Sequence, residues 1–494
     1  MINDKIKRKL KRKTINPVTS YVLLTFLVII LSGFLSLIHF QTTYNVVDSA
    51  KLEYIQLTAT VDNLFSFHGL KYIVGNASKT FISFAPLSMF LIASIGLAIA
   101  EASGFIDISF KRIFSKLNNN ILTFLVILVA TISSLINEVG YVIIIPLAAY
   151  IFKSKKRNPM IGVCAAFAGC AFVYGTSIFV GSLETQLIPY TTMAARIIDA
   201  DYHISLLSNV YIMVASTLIL SIVGTVIIEK IIAPKLGKYR VKKEINPLND
   251  FEIIGEDEFE QNVLSTDYNE KKGFKIASIV SIVFIVFFIY SVIPGLPGSG
   301  LLLDYNEDTY LKQIFGDNSY FQDGFTFLVS LLLILTSLAY GIGSKSIKND
   351  KDLIEKSSKS FQNLGSLFIL IFTVSQFIAI FRKSNIGLVI TVWLANLLEH
   401  LTWSGIPLII ITLLLIAVSN FVLTSSASKW MIFSPVVVPM FMQSNISPQF
   451  AQIVMRAGDS MTKGFTPLLA SFVIYIGYLN IYNLKKEKPY TIKE

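Results

Sequence analysis

The chain has 494 residues, of which 53% are hydrophobic and 15% charged, and its mean hydropathy is +0.63. Soluble proteins are about one-quarter charged, so this composition excludes a soluble globular protein and predicts an all-α polytopic membrane protein. The formal net charge of +10 does not indicate a nucleic-acid partner, because the basic residues stand in short segments between apolar runs, as in cytoplasmic loops.

The first half of the chain, residues 1–231, contains four apolar stretches long enough to cross a bilayer. They cover residues 20–40, 81–102, 160–196 and 206–231. Seven Lys and Arg residues precede the first stretch, so the N-terminus is expected in the cytoplasm. Small and polar residues interrupt the third stretch, which predicts a broken helix near residues 175–189.

Between the second and third stretches lie two shorter apolar runs, residues 122–136 and 139–152. Each has about 15 residues, which is too short to cross a membrane at 1.5 Å per residue. Basic segments flank the pair on both sides, so both ends are expected in the cytoplasm. The pattern predicts a re-entrant hairpin at about residues 121–153, with Asn137 and Glu138 at its tip.

A mixed-charge cytoplasmic linker, residues 232–275, leads to the second half, residues 276–494. This half has four long apolar stretches, residues 276–293, 325–340, 360–381 and 450–480. A second hairpin is predicted at about residues 406–442, entering from outside, and a broken helix near residues 458–467. Basic residues after the last stretch place the C-terminus in the cytoplasm as well.

The two halves repeat one pattern in opposite orientation. Tyr141 precedes Pro146 by five residues in the first hairpin, as Trp430 precedes Pro435 in the second. Because the hairpins enter from opposite sides, the fold is expected to contain inverted repeats, with about eight to nine transmembrane helices plus the two hairpins. Inverted repeats with broken helices near the midplane are typical of secondary transporters, although a channel-like protein shares some of these features.

Charged and polar residues near the second broken helix predict a solute site. Asp459 lies in the expected Gly-Asp-Ser break, where freed carbonyls would help it to hold a sodium ion or a proton; alternatively it caps the next half-helix. Arg456 offers a planar fork that suits a substrate carboxylate, or it pairs with Asp459.

The tip of the second hairpin carries further candidates for substrate binding. Ser425, Ser426 and Ser428 present hydroxyl and N–H groups to an anion, or only cap the second half of the hairpin. Trp430 either stacks on an aromatic ring of the solute or packs in the core. Asn420 either lines the cavity or bonds a neighbouring helix.

Asn137, Glu138 and Glu184 are the counterparts of these residues in the first half. A carboxylate at membrane depth is costly, which favours a role in ion or proton coupling for both glutamates. An enzyme is not expected, because no nucleophile–base pair, metal-ligand cluster or nucleotide-binding motif occurs. No cofactor is expected beyond Na⁺ or H⁺ as the coupling ion.

Several segments resemble the AbgT family of p-aminobenzoyl-glutamate transporters. They are Phe84-Ala85-Pro86-Leu87, Glu101-Ala102-Ser103-Gly104, Gly140-Tyr141-Val142, Ile145-Pro146-Leu147-Ala148-Ala149, Ser375-Gln376-Phe377, Ser384-Asn385, Ser434-Pro435-Val436, Val438-Pro439-Met440, Ser447-Pro448 and Arg456-Ala457-Gly458-Asp459-Ser460. The likeness runs in order, with matching spacing, from Asn16 to about Tyr482.

The resemblance implies a bowl-shaped homodimer in the inner membrane that moves p-aminobenzoyl-glutamate or a related aryl or acidic solute, driven by a proton or sodium gradient. For some members it implies proton-driven export of sulfonamide-type antimetabolite drugs instead. The working positions of the family fall on Trp430, Pro448, Arg456 and Asp459.

The chain departs from the family pattern around the expected site. Glu184 and the pair Asn137-Glu138 stand where the family usually has Asp and Ser-Asp. Ala427 replaces a Ser, and Lys463 replaces an Asn, which adds a cation near Asp459. Lys463 is therefore expected to pair with Asp459, to take the place of a bound cation and to weaken any sodium dependence.

Overall fold

The computed structural model describes residues 15–47, 53–114, 116–133, 135, 140–237, 256–316, 319–362 and 364–483. For residues 256–267, 360 and 362 it describes the backbone alone. The tip residues Asn137 and Glu138 of the first expected hairpin lie outside the described residues.

In the first half of the chain the helices follow the apolar runs, and a pair of strands follows the first helix. The elements are α1 (Pro17–Leu37), β1 (Gln41–Val47), β2 (Tyr54–Thr60), α2 (Phe67–Ile82), α3 (Ala85–Ala102), α4 (Phe105–Phe114), α5 (Asn119–Ile132), α6 (Gly140–Ser154), α7 (Pro159–Phe167), α8 (Ser182–Arg196), α9 (Val210–Ile227) and α10 (Ala233–Leu236). Two π-turns, Ala168–Phe172 and Ile228–Ile232, continue α7 and α9.

The second half of the chain is helical wherever it forms regular structure among the described residues. Its elements are α11 (Glu256–Val292), α12 (Tyr310–Phe315), α13 (Tyr320–Ser344), α14 (Asp350–Gln362), α15 (Gly365–Lys383), α16 (Ile386–Glu399), α17 (Gly405–Ser419), α18 (Ser426–Gln443), α19 (Pro448–Lys463) and α20 (Ala470–Ile481).

Six helical segments within the described ranges are long and apolar enough to cross a membrane. They are Pro17–Leu37, Phe67–Ala102, Val210–Leu236, Tyr268–Val292, Tyr320–Ser344 and Gly365–Lys383. The other two long stretches expected from the sequence are interrupted, one between α7 and α8 and one between α19 and α20. The fold class, a helical membrane protein with several spans, is confirmed.

The paired short helices lie where the sequence places the hairpins. Helices α5 and α6 form the first pair, and α17 and α18 form the second. At 14 to 18 residues, these helices are mostly shorter than the roughly 20 residues that a span needs. That each pair turns back within the membrane stays a prediction.

The second break lies later in the chain than the sequence suggests. Helix α19 continues through Gly458 and Asp459 and ends at Lys463, so the expected break near residues 458–467 begins only at Gly464. Pro467 explains the stop, because proline disfavours a helical conformation of the preceding residue. Asp459 therefore stands in a helix and not in an unwound segment, which corrects the prediction.

The first break is also shifted. The chain leaves the helical conformation after Phe172 and resumes it at Ser182, whereas the sequence places the break near residues 175–189. Glu184 consequently lies in the first turn of α8. Only the first part of the expected interval is non-helical.

The segment after α1 contains an antiparallel β-hairpin, for which the sequence analysis gives no prediction. Strands β1 and β2 pair with Gln41 opposite Thr60 and Val47 opposite Tyr54. The Tyr54 hydroxyl donates to the carbonyl of Pro435 in α18 at 3.2 Å. That carbonyl has no helical partner because the residue four positions on is Pro439, which lacks an N–H group.

The chain divides into two compact units, each built from both halves of the sequence. The first unit comprises Met1–Phe84, Met193–Asp201 and Ser366–Glu494; the second comprises Ala85–Thr192 and Tyr202–Gly365. Large buried side chains fill each unit, such as Trp430 and Phe433 in the first. The assignment of domains by halves, residues 1–231 and 276–494 with a linker between, stays a prediction.

Gly458 allows α19 to lie very close to α17 within the first unit. A Cβ atom at this position would stand 2.7 Å from the carbonyl oxygen of Leu413 and 3.1 Å from the side chain of Ile416. Backbone cannot give way as a side-chain end can, so the glycine is required by close packing.

Gly458→Ala is expected to destabilise the protein by roughly 1–3 kcal/mol, because the extra methyl group forces two helices apart. Gly477→Ala is the matched control, since its added Cβ meets chiefly the side-chain end of Leu367, which can rotate away. Thermal unfolding of both variants in detergent measures the difference. Equal melting temperatures for the two variants would contradict the close approach.

Candidate functional site

The Asp459 carboxylate is the centre of a buried polar cluster in the first unit. Its side chain is 2% exposed. The ammonium of Lys429 contacts Oδ1, and the hydroxyl of Ser426 donates to Oδ2 at 2.5 Å. Lys463, one turn further along α19, places its ammonium 3.7 Å from Oδ2. Both oxygens of the carboxylate are thus held by positively charged or hydroxyl donors.

Asn420 connects the end of α17 to α19 and orients the same cluster. Its side-chain N–H group donates to the backbone carbonyl of Asp459 at 2.7 Å and to the hydroxyl of Thr462 at 2.9 Å. Its side-chain oxygen accepts from Lys429. The Thr462 hydroxyl donates in turn to the carbonyl of Ala417 at 2.5 Å. These hydrogen bonds fix the position of Lys429 relative to α17 and α19.

The three serines of the hairpin tip have different positions. Ser425 caps α18, since its side chain accepts from the backbone N–H of Ser428 at 3.3 Å. The hydroxyl of Ser428 donates to Ser425 at 2.9 Å, and both lie outside the core. Only Ser426 is buried and reaches Asp459. An α-helix places residues three apart on one face, so Ser426 and Lys429 point the same way.

Lys429 is a site residue that the sequence analysis did not identify. Its side chain is fully buried, and a buried lysine needs a nearby carboxylate. The signal was its spacing of three residues from Ser426, within a helix that is otherwise apolar on that face. The expected pairing of Lys463 with Asp459 is present, but Lys429 makes the direct contact.

Trp430, Arg456 and Pro448 are all buried in the first unit. Trp430 is fully buried within the first unit, and Arg456 is 3% exposed, one turn before Asp459 on α19. Pro448 begins α19, about 16 Å along the helix axis from Asp459 at 1.5 Å per residue, so it lies away from the cluster. Their assignments to substrate binding stay predictions.

Glu184, the expected counterpart of Asp459, caps its own helix. Its carboxylate accepts from the backbone N–H of Gly181 at 2.8 Å, as the third residue of a capping box does. It is buried and lies in the second compact unit, as part of α8. Its role in coupling stays a prediction.

The Lys429 ammonium fills the position in the cluster that a bound sodium ion would take. The oxygens that a sodium ion would use, Oδ1 of Asp459 and Oδ1 of Asn420, both accept from the Lys429 ammonium. Among the described residues no group of three or more His, Cys, Asp or Glu side chains is placed to hold a metal ion. The ammonium of Lys429 stands where a cation between these oxygens would lie.

The profile of the AbgT putative transporter family matches residues 6–488. The p-aminobenzoyl-glutamate transport protein of Escherichia coli (strain K12) is 28% identical over 422 residues, which cover 85% of this chain and 78% of that protein.

Two solved structures also match. The YdaH transporter of Alcanivorax borkumensis is 26% identical, with 95% of this chain and 92% of that chain covered and a TM-score of 0.46. MtrF of Neisseria gonorrhoeae, described among antimetabolite efflux pumps, is 28% identical, with 97% and 91% covered and a TM-score of 0.48.

Substitutions in the cluster are expected to lower the free energy of unfolding by different amounts. Asp459→Asn should destabilise more than Lys429→Met, because it leaves both ammonium groups without this counter-charge. After Lys429→Met the carboxylate keeps Lys463 at 3.7 Å. Breaking a buried pair typically costs about 3–5 kcal/mol, and Lys429→Met should fall below that range.

Adding Lys429→Met to Asp459→Asn should recover part of the loss, because it removes one uncompensated charge. Melting temperatures of the purified variants in detergent measure the order of destabilisation. Ser426→Ala is the control that removes hydrogen bonds to Asp459 and Lys463 but no charge. Strictly additive effects of the two substitutions would show that the pair does not interact.

Proposed function

The chain belongs to the AbgT putative transporter family, and from this premise we propose that it carries p-aminobenzoyl-glutamate or a related aryl acid by secondary active transport. It is a multi-pass membrane protein of a transporter family and not an enzyme. The substrate assignment rests on the Escherichia coli relative, which is a p-aminobenzoyl-glutamate transport protein.

The observation that carries the mechanism is the contact between Lys429 and Asp459, where the tip of the second hairpin meets the interrupted helix. A charge pair inside a membrane protein is costly and typically marks a pathway for a substrate or proton. Protonation of Asp459 removes the charge that neutralises Lys429, so the ammonium becomes available to a substrate carboxylate. The proton and the acidic solute then bind in the same step.

The same geometry supports a proton as the coupling ion. A sodium ion at Asp459 would have to displace the Lys429 ammonium from Asn420 and Asp459. A proton needs only the carboxylate, and its binding weakens the contact with Lys429 by removing one of the two charges. Proton coupling is therefore the form of the proposal that fits the cluster.

Other residues complete the proposed substrate site. Carboxylate groups of the solute would be held by Arg456, the exposed Ser425 and the half-buried Ser428, since guanidinium and hydroxyl donors suit that anion. Trp430 would pack on the aromatic ring; because it is fully buried, the site must open at its side before the ring can enter. Glu184 and Glu138 would assist in proton transfer in the other half.

We also propose a homodimer in the cell inner membrane with both termini in the cytoplasm. The basic residues before the first apolar stretch and after the last one support this orientation. The family resemblance supports the dimer.

The transport test measures flux of labelled p-aminobenzoyl-glutamate into proteoliposomes, with proton and sodium gradients imposed separately. Saturable flux that follows the proton gradient is expected, because Asp459 must take up a proton for the solute to bind. Asp459→Asn should reduce flux to the level of empty liposomes. Full coupled flux in that variant would overturn the role of Asp459.

Folding of the variant is checked by gel filtration and melting temperature. If Asp459→Asn does not fold, the double variant Asp459→Asn with Lys429→Met takes its place, since it removes one uncompensated charge. Lys429→Met alone is then the control for the loss of the ammonium. If the wild type shows no flux under any gradient, p-aminobenzoyl-glutamate is not the substrate. Sulfonamides and other carboxylates are then assayed in both directions.

Lys463→Asn is expected to make flux respond to sodium. The substitution replaces the ammonium that lies 3.7 Å from Oδ2 of Asp459 with an amide oxygen, so a sodium ion could bind on that side without displacing Lys429 from Oδ1. Lys463→Arg keeps the charge and is the matched control. Initial rates measured over a sodium titration at fixed pH test this, and an unchanged sodium response in Lys463→Asn would rule out the replacement of a cation by Lys463.

A further inference from the structure

An open groove of about 330 Å³ lies on the second compact unit, between α5 and the C-terminal part of α9. Ile121 and Phe124 from α5 form one wall, and Ile222 and Val226 from α9 form the other. Ile121, Ile222 and Val226 are 46–55% exposed. The groove is thus an apolar surface on a helix that is itself a candidate membrane span.

One end of the groove is polar and positively charged. Lys230, in the π-turn that follows α9, and Asn120, in the first turn of α5, both line it. Among the described residues, the N-cap Asn118 makes no side-chain hydrogen bond to the first turn of α5. The backbone N–H groups of that turn and the positive end of the helix dipole therefore point toward this end.

The acidic residue at this end, Glu229, is already neutralised. Nη2 of Arg157 lies 2.8 Å from each carboxylate oxygen, and the hydroxyl of Thr123 donates to one of them. The guanidinium of Arg157 also lies over the ring of Phe152, 4.6 Å from its centroid. These contacts hold α5, the start of α7 and the π-turn together. With Glu229 paired in this way, the charge of Lys230 favours an anionic ligand at this end of the groove.

Further basic residues stand beside the groove. The segment from Lys153 to Arg157 contains four Lys or Arg residues, and the ammonium of Lys155 donates to the carbonyl of Leu117, next to the start of α5. The charged end of the groove therefore coincides with a basic segment that the sequence assigns to the cytoplasmic face. The anionic headgroups of a bilayer lie at that level.

We propose that the groove binds one anionic phospholipid of the bilayer. An acyl chain lies along the apolar walls, and the phosphate contacts the ammonium of Lys230 and the first-turn N–H groups of α5. Charge complementarity selects the headgroup, and the exposed apolar walls select a lipid over a soluble phosphate. Because α5 is one helix of the first hairpin, the bound lipid stabilises that helix against α9.

The experiment uses the full-length protein purified in detergent and measures binding of phosphatidylglycerol and of phosphatidylcholine with the same acyl chains, by native mass spectrometry and by melting temperature. Phosphatidylglycerol should bind more tightly and raise the melting temperature more. Lys230→Gln should weaken phosphatidylglycerol binding about fivefold, the factor expected for one lysine at an anionic headgroup.

Lys235→Gln is the matched control, because Lys235 lies five residues further along the same helical region and does not line the groove. Val226→Trp places a ring in the groove and should abolish binding of the lipid, because it removes the space for the acyl chain and leaves Lys230 unchanged. Lys230→Gln and Val226→Trp lie outside the Asp459 cluster, so proton-driven flux should persist in both. Failure of transport and failure of lipid binding are thus distinguishable.

Four results would overturn the proposal. Equal binding of the two lipids, or equal effects of Lys230→Gln and Lys235→Gln, would show that the groove does not select an anionic headgroup. Competition by glycerol phosphate as strong as by the lipid would make the site one for a soluble phosphate. A fall in the oligomeric mass of Val226→Trp would mean that a second copy of the chain covers the groove.

Discussion

The structure of the first unit depends on neutralising one carboxylate within an apolar environment. Asp459 lies on α19 with almost no exposed surface, and a lone ion there would cost more free energy than the fold can supply. Lys429 from α18, Ser426 from the start of α18 and Asn420 from the end of α17 meet this requirement together. Three helices are thereby held in one arrangement by polar contacts, and Gly458 lets two of them come close enough for these contacts to form.

The same requirement explains why the arrangement can change during transport. A charge pair holds only while both partners are charged, so one proton on the carboxylate alters the balance of all contacts around it. Packing of apolar side chains has no comparable sensitivity. Under the proposed mechanism, the cluster would combine a structural role in the resting protein with a response to the proton gradient.

The amino-acid sequence predicted the membrane class, the long spans and the positions of both helix pairs, because hydropathy and length decide them. The sequence placed the second break too early. Gly458 was interpreted as a helix breaker, whereas in the structure it lies within α19 and allows close packing against α17. The sequence analysis overlooked the strands, although β-branched residues in Gln41–Val47 favour them. It named Asp459, Ser426 and Asn420 but not Lys429, because a partner 30 residues away in the sequence becomes evident only once two helices are packed.

The hydroxyl of Tyr54 donates a hydrogen bond to the carbonyl of Pro435. Within α18 that carbonyl has no partner, because Pro439 lacks an N–H group. A hairpin of seven-residue strands is in this way fastened to the helix that carries Lys429. Any displacement of that helix must either break the bond or carry the strands with it. By reciprocity, a molecule that binds the strands in only one of their positions, such as an antibody fragment, would shift the equilibrium between positions of the helix. It would do so without contacting Asp459.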